Sequence, residues 1–355
     1  MGIDIGIIGL PQSGKTTVFS SLTGGRTDKA AHVAAGSSAH VGIAKVPEPR
    51  LKILADIFCP RKVVPVEVRY VDTGAESPGQ LGSEDILIYV VRAFTGDCVP
   101  HIKGSVDAGR DMAAIDTELA FSDLAIIKRR LNRIDVSLKG ARQPERQGLL
   151  REQELLLKIR GGLEKDVPIR ELKFTPDEAR TLSGYQFLAA KPLLVIANID
   201  EAQLSGAASW EAELNSRYSR DRCRVIVLSA KLEMELGQLD DSAAVEFRCE
   251  FGLKQPGRDR VIRQSCELAG LVSFFTTVSA EVRAWSIKSG TTALRAAGKI
   301  HSDMERGFIR AEVISYDNLL QCGTLAEARK KGLLRLEGKD YIIQDGDVVT
   351  FLFNV

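Results

Sequence analysis

The period of the hydrophobic positions changes several times along this chain, and each change predicts a new element. Ile5, Ile7 and Ile8 form a short apolar run of the length of a buried strand. Val41 to Val46 alternates weakly and stops at Pro47-Glu48-Pro49. Leu51, Leu54, Ala55 and Phe58 share one face of a short helix, and Val64 to Val71 alternates as a strand. Ile86 to Val91, Pro192 to Ala197 and Arg224 to Leu228 are continuous apolar runs, as in parallel strands covered on both faces. Strands separated mostly by helical stretches predict an α/β fold with a doubly wound sheet.

From Asp116 to about Gly161 the period lengthens. Leu119, Leu124, Ile127, Leu131, Ile134 and Leu138 recur at three- and four-residue steps, and Leu149, Leu150, Leu155, Leu156, Ile159 and Leu163 do so after a break at Gly140 to Pro144. This predicts an antiparallel helical hairpin inserted between the fourth and fifth strands. Thr175 to Ala190 and Trp210 to Tyr218 read as helices. Phe274 to Val278, Val282 to Ile287, Tyr341 to Ile343 and Val348 to Phe353 read as strands, and Leu325 to Lys331 as a helix. The expected division is a nucleotide-binding domain over 1–110 and 190–270, a helical insertion over 111–189 and a small α+β domain over 271–355.

The chemistry sits between the first strand and the helix that starts at Lys15. Gly9-Leu10-Pro11-Gln12-Ser13-Gly14-Lys15-Thr16, followed by Thr17, matches G-x-x-x-x-G-K-[ST] at every fixed position. The glycines let the loop curl so that backbone N–H groups point at phosphate oxygens. Lys15 is the expected catalytic and phosphate-binding cation, and the Thr16 hydroxyl is expected to hold Mg²⁺. Asp72, at the C-terminal end of its strand, is the second expected metal-site residue.

Composition adds limits. Of 355 residues, 44% are hydrophobic and 27% charged, and the net charge is +1, so any nucleic-acid surface must be local. Six scattered cysteines without a C-x-x-C pair read as reduced thiols of a cytoplasmic protein. No apolar run approaches a membrane span. The local excess is on the hairpin, where Lys128, Arg129, Arg130, Arg133, Lys139, Arg142, Arg146, Arg151, Lys158 and Arg160 face fewer acids. The pattern fits a polyanion-contacting arm, with RNA as the partner and no DNA specificity; from charge alone a solvated helix face is the better reading, since no aromatics are interleaved for stacking. Of His32, His40, His101 and His301, only His40 lies in a loop expected to approach a nucleotide.

Two loops at strand ends are expected to face the nucleobase: Asn198 to Glu201 and Ser229-Ala230-Lys231. A guanine-selective loop reads Asn-Lys-x-Asp, and here Ile199 replaces the Lys and Glu201 the Asp. A carboxylate one methylene longer displaces the paired acceptor geometry for guanine, while the amide of Asn198 is able to meet an adenine edge. ATP is therefore the expected ligand, with GTP the weaker alternative.

Taken together, GLPQSGKTT, VPEPRL, NIDE, EVRAWSIKSGTTALRAAGKIHSDMERGFIRAEV and the terminal GKDYIIQDGDVVTFLFNV resemble the YchF family, the Obg-like ATPases, over nearly the whole chain. The resemblance implies a P-loop NTPase domain, a coiled-coil insertion and a C-terminal TGS domain of ubiquitin-like fold. It implies ATP preferred over GTP through an N-x-x-E loop, and association with ribosomes in translation or stress responses, through the basic hairpin and the TGS sheet. Two departures stand out. The family's T-I-E-P-N run before the glycine at Gly42 is here Gly36-Ser37-Ser38-Ala39-His40, which leaves Ser37 or Ser38 in place of the switch threonine. Its D-x-A-G-L second switch is here Asp72-Thr73-Gly74-Ala75-Glu76, with about twenty residues fewer before Ile86. Nucleotide binding is expected to survive both changes. The expected activity is a slow ATPase; a non-hydrolysing, ATP-binding adaptor for ribosome or RNA is the alternative.

Overall fold

The protein is described here by a computed structural model covering residues 3–25, 40–72, 84–96, 101–278 and 280–354. In chain order the strands and helices are β1 (Ile3–Gly9), α1 (Lys15–Thr23), β2 (His40–Lys45), α2 (Pro49–Phe58), β3 (Lys62–Val64), β4 (Glu67–Asp72) and β5 (Ile86–Arg92). There follow α3 (Ala108–Leu138), α4 (Glu145–Leu163), α5 (Pro176–Leu182), β6 (Leu193–Asn198), α6 (Ala207–Tyr218), β7 (Cys223–Leu228), α7 (Ala230–Leu236), α8 (Asp241–Glu250) and α9 (Gly257–Leu268). The last stretch holds β8 (Leu271–Val278), β9 (Glu281–Lys288), α10 (Ala293–Ile300), α11 (Ser302–Arg306), β10 (Phe308–Ser315), α12 (Tyr316–Cys322), α13 (Leu325–Lys330), β11 (Arg335–Glu337) and β12 (Asp347–Phe353). Among the described residues no helix is long and apolar enough to cross a membrane.

The chain divides into two compact units. One comprises Asp4–Gly42 and Tyr70–Arg258; the other takes in Ile43–Arg69 and the chain from Asp259 on, together with the first residues. The first sheet has the order β2-β4-β1-β5-β6-β7. Its centre is parallel: Ile5 pairs with Ile86, Leu87 with Leu193, and Leu193 with Cys223. Ile86 to Arg92 are all buried, which explains why this run shows no polar alternation. Parallel strands all deliver their C-terminal ends to one edge, and the glycine-rich turn after β1 lies there.

The insertion is a hairpin of two helices. α3 starts at Ala108, earlier than the hydrophobic period alone marks, because Asp107 caps it by accepting from the Arg110 N–H at 2.9 Å. Ile127, Leu131 and Ile134 of α3 and Leu155, Leu156 and Ile159 of α4 are buried in one core with β5 to β7. The helix expected over Thr175 to Ala190 is shorter. A capping box between Thr175 and Glu178 starts α5, and it ends at Leu182, before Ser183-Gly184. The rest is drawn into the core by Asp123, whose buried carboxylate accepts the N–H of Leu188 at 2.9 Å and of Ala189 at 2.8 Å. Burial pushes the Asp123 carboxyl up to about 6, against the two N–H bonds and Lys191, which favour the charged form. The folded state therefore binds this proton more tightly than the unfolded chain, so stability from this group is fully present below pH about 4 and is lost as pH rises through about 6. Asp123→Asn is expected to cost about 1–3 kcal/mol at neutral pH, because its amide nitrogen must face an N–H, and to flatten the pH dependence between 4 and 6. Urea unfolding across that range reads both effects.

The second sheet has the order β11-β10-β12-β8-β9-β3. The segment Val64 to Val71, expected as one strand, is two: Lys62–Val64 pairs with β9 in this sheet, and Glu67–Asp72 belongs to the first. Pro65 separates them, having no N–H to give a ladder. Tyr341 to Ile343, expected as a strand, contributes one isolated bridge, Thr292 to Ile342. The compact unit is thus broader than 271–355, since α2 packs Leu51 and Leu54 on Phe275, Val282 and Ala284. Arg50 fixes α2: it donates to Glu48 at 2.8 and 2.7 Å and to Asp345 at 2.7 and 3.3 Å. Asp345 in turn accepts the Ser273 N–H at 2.8 Å. Lysine cannot reproduce this double fork. Arg50→Lys is expected to lower stability by about 1–2 kcal/mol, read as a lower denaturation midpoint at unchanged m-value.

Candidate nucleotide site

The turn Leu10–Gly14 is held by local strain and by one distant side chain. Gly9 has φ +146°, and a Cβ there would stand 2.4 Å from the Val90 carbonyl oxygen. Gly14 has φ +94°, and a Cβ there would meet Asn198 Nδ2 at 2.2 Å. Gln12 takes φ 62°, a left-handed conformation that costs a non-glycine residue about 1 kcal/mol. Pro11 is half-buried and Gln12 exposed, whereas Ser13 is buried with its Oγ unpartnered.

Lys15 opens α1. Its Nζ donates to the carbonyls of Gly9 at 3.0 Å and Leu10 at 2.8 Å, so the ammonium is folded back along the loop. Burial lowers its pKa, and Asp72 counteracts by favouring the charge. Thr16 is exposed, and its Oγ1 donates to Asp72 Oδ2 at 3.0 Å; Thr17 is half-buried beside it. Asp72 is fully buried at the end of β4. A hydroxyl and a carboxylate, both hard oxygen donors, meet at the start of a helix, the donor set suited to Mg²⁺ beside phosphates.

Asn198, at the end of β6, has a role that no local pattern announces. Its Nδ2 donates to the Ser13 carbonyl at 3.1 Å, and its Oδ1 accepts the Ala230 N–H at 3.1 Å. The amide expected to meet a purine edge thus stitches the loop after β1 to the loop after β7. Ile199 is buried in the core. Asp200 accepts from the N–H and hydroxyl of Thr95 at 3.3 and 3.2 Å. Glu201 is exposed at the start of a short 3-10 turn. Ser229 and Ala230 are buried, and the Ser229 Oγ has no partner. The structure therefore brings Gly9, Pro11, Gln12, Ser13, Gly14, Lys15, Thr16, Asp72, Asn198 and Ala230 around one turn, with Glu201 at the solvent side of the base loop. The two switch segments, Thr23 to Ser38 and Thr73 to Glu84, fall almost wholly outside the described residues.

Of the histidines, His101 is the surprise. Its Nδ1 accepts the Lys103 N–H at 3.2 Å, and its Nε2 lies 3.1 Å from the buried Asp111 carboxylate, which also pairs with Lys103 and Arg110. Glu118 receives the Tyr89 hydroxyl at 2.5 Å on the same helix.

Comparison with known proteins finds relatives along the whole chain. The family model YchF-GTPase_C, described as a protein of unknown function (DUF933), matches residues 271–354. The chain is 36% identical over 370 residues to a protein of Bacillus subtilis called ribosome-binding ATPase YchF, and 37% identical over 368 residues to one of the same name in Pasteurella multocida. Each alignment covers all of both chains. The solved structure of the Schizosaccharomyces pombe YchF GTPase superposes with a TM-score of 0.85 at 25% identity, covering 99% of this chain and 98% of that one. The similarity runs end to end with these proteins, and the chain belongs to the YchF family.

Proposed function

We propose that the chain binds ATP with Mg²⁺ and hydrolyses it slowly, as a ribosome-associated regulator of translation or stress response. The observation that carries this reading is the turn itself: glycines at positive φ with no room for a Cβ, Lys15 on the loop carbonyls, and Thr16 against Asp72 beneath a helix N-terminus. On binding, Lys15 would move from the carbonyls of Gly9 and Leu10 to the β- and γ-phosphates. Thr16 and Asp72 would hold Mg²⁺, which neutralises developing phosphate charge. ATP is preferred over GTP because Glu201 stands where a guanine-reading aspartate would be and Ile199 is committed to the core. The bacterial relatives are named ATPases and the yeast structure a GTPase, so the names alone do not decide the base.

Ribosome association rests on the relatives' names and on the hairpin's charge, with ten cations against four acids between residues 128 and 160. RNA phosphate is the matching partner chemistry, and the C-terminal α+β segment is the second proposed contact. The altered switch sequences favour a second reading, an ATP-binding adaptor without turnover. Phosphate release over hours from Mg·ATP separates the two. Release above the Lys15→Ala background supports the ATPase; release equal to that background leaves the adaptor.

A further inference from the structure

We propose that the outward stripe of α3 is a track for single-stranded RNA, with Phe121 as the platform on which one unpaired base stacks. The proposal rests on reading the hairpin as an RNA-contacting arm, and it names the form of RNA and the residues that take it.

The core side of α3 is set by Met112, Ile115, Ile127, Leu131 and Ile134. Phe121, Ala125, Lys128, Asn132, Asp135 and Lys139 follow one another at steps of four, three, four, three and four, which places them in one line on the opposite side, and all are exposed. Phe121 is 72% exposed and Val136, beside the line, 69%. At about 1.5 Å per residue the stripe runs roughly 27 Å from Phe121 to Lys139, the length of several nucleotides. One exposed acid, Asp135, lies on the line and offsets part of its charge. Glu152 is held by Arg130 and by the Tyr185 hydroxyl, and Asp135 accepts from Gln153 at 2.8 Å. Among the described residues Lys128, Arg133 and Lys139 form no ion pair.

The chemistry selects the partner. A protein-docking face would gather its apolar side chains at a dry centre ringed by polar groups. Here the apolar positions are spaced among cations, a pattern matched to a polyanion with flat apolar faces. A duplex buries its base faces in the stack and meets only the cations. An unpaired strand offers both phosphates and a free π-face, which an exposed phenyl ring accepts whatever the base.

The test uses the full chain, a fluorescein-labelled twelve-nucleotide oligoadenylate, and an RNA duplex of the same length, with anisotropy read at several salt concentrations. Phe121→Ala is expected to fold normally, since the ring is exposed, and to bind the single strand about tenfold more weakly, with duplex affinity and salt slope unchanged. Phe121→Trp is expected to retain binding and to show indole quenching by the strand. The double variant Lys128→Ala, Lys139→Ala is expected to weaken both RNAs and to reduce the single-strand salt slope by about 0.7 per cation. Equal losses of strand and duplex in Phe121→Ala, or no loss of either, would overturn the stacking platform while leaving the arm an RNA contact. Wild type that binds neither RNA, or a double-lysine variant that binds both unchanged, would overturn the RNA reading of the arm itself.

Discussion

Replacing Lys15 by alanine is expected to reduce ATP turnover by about 10²-fold or more, the largest functional effect of any single side chain in the structure. The ammonium is already held on the loop, by the Gly9 and Leu10 carbonyls at 3.0 and 2.8 Å. Burial makes its charge costly and lowers its pKa, while Asp72 favours the charge. A cation held at such a place is worth most when phosphate replaces the carbonyls, because the attraction acts where water is thinned. Removing it leaves only two loop carbonyls without this donor, and both belong to half-buried residues that water can reach. Stability is therefore expected to change little, by less than about 1 kcal/mol. Circular dichroism melting beside phosphate release checks both halves, and a variant that unfolds would show that the lysine is structural.

The second large effect is at Asn198. Asn198→Ala removes the donor to the Ser13 carbonyl and the acceptor for the Ala230 N–H, both buried. Two stranded backbone groups cost about 1–3 kcal/mol each, so a loss of about 2–6 kcal/mol is expected. The same two bonds hold the phosphate loop to the loop after β7, so ATP affinity is expected to fall by about tenfold or more even under conditions where the variant is fully folded. Asn198→Asp separates the two bonds. Its carboxylate still accepts from Ala230 but places a buried negative charge against the Ser13 carbonyl, so a phosphate-loop defect with a stability loss no smaller than that of Asn198→Ala is expected. Urea unfolding with and without ATP measures all three states.

These effects show which parts of the molecule were legible in the sequence. The β1–turn–α1 unit is local: an apolar run, fixed glycines and a helix start lie within fifteen residues of one another, and the structure has them in place. The hairpin is legible for the same reason, since its period repeats over several turns. Asn198 was recognised as a base-loop residue, but its partners are 185 and 32 positions away, and no local pattern encodes a bond across that distance. Asp123 is similar: an aspartate between apolar positions of a helix, it holds Leu188 and Ala189, beyond the end of α5, from 65 and 66 positions away. Pro65 carried a local signal, a missing N–H inside an alternating run, and it divides that run between two sheets. Phe121 lies inside the predicted hairpin but N-terminal to its cations, and the helical period puts it in line with Lys128 and Lys139.

The measurement that tests the central claim most directly is calorimetric titration of the full chain with ATP and with GTP, each with and without Mg²⁺. The account predicts one site per chain, ATP bound more tightly than GTP, and affinity that falls when Mg²⁺ is withheld, because Thr16 and Asp72 are its proposed ligands. Tighter binding of GTP would contradict the reading of Ile199 and Glu201. Binding of neither nucleotide would contradict the assignment of the loop around Lys15 as a nucleotide site.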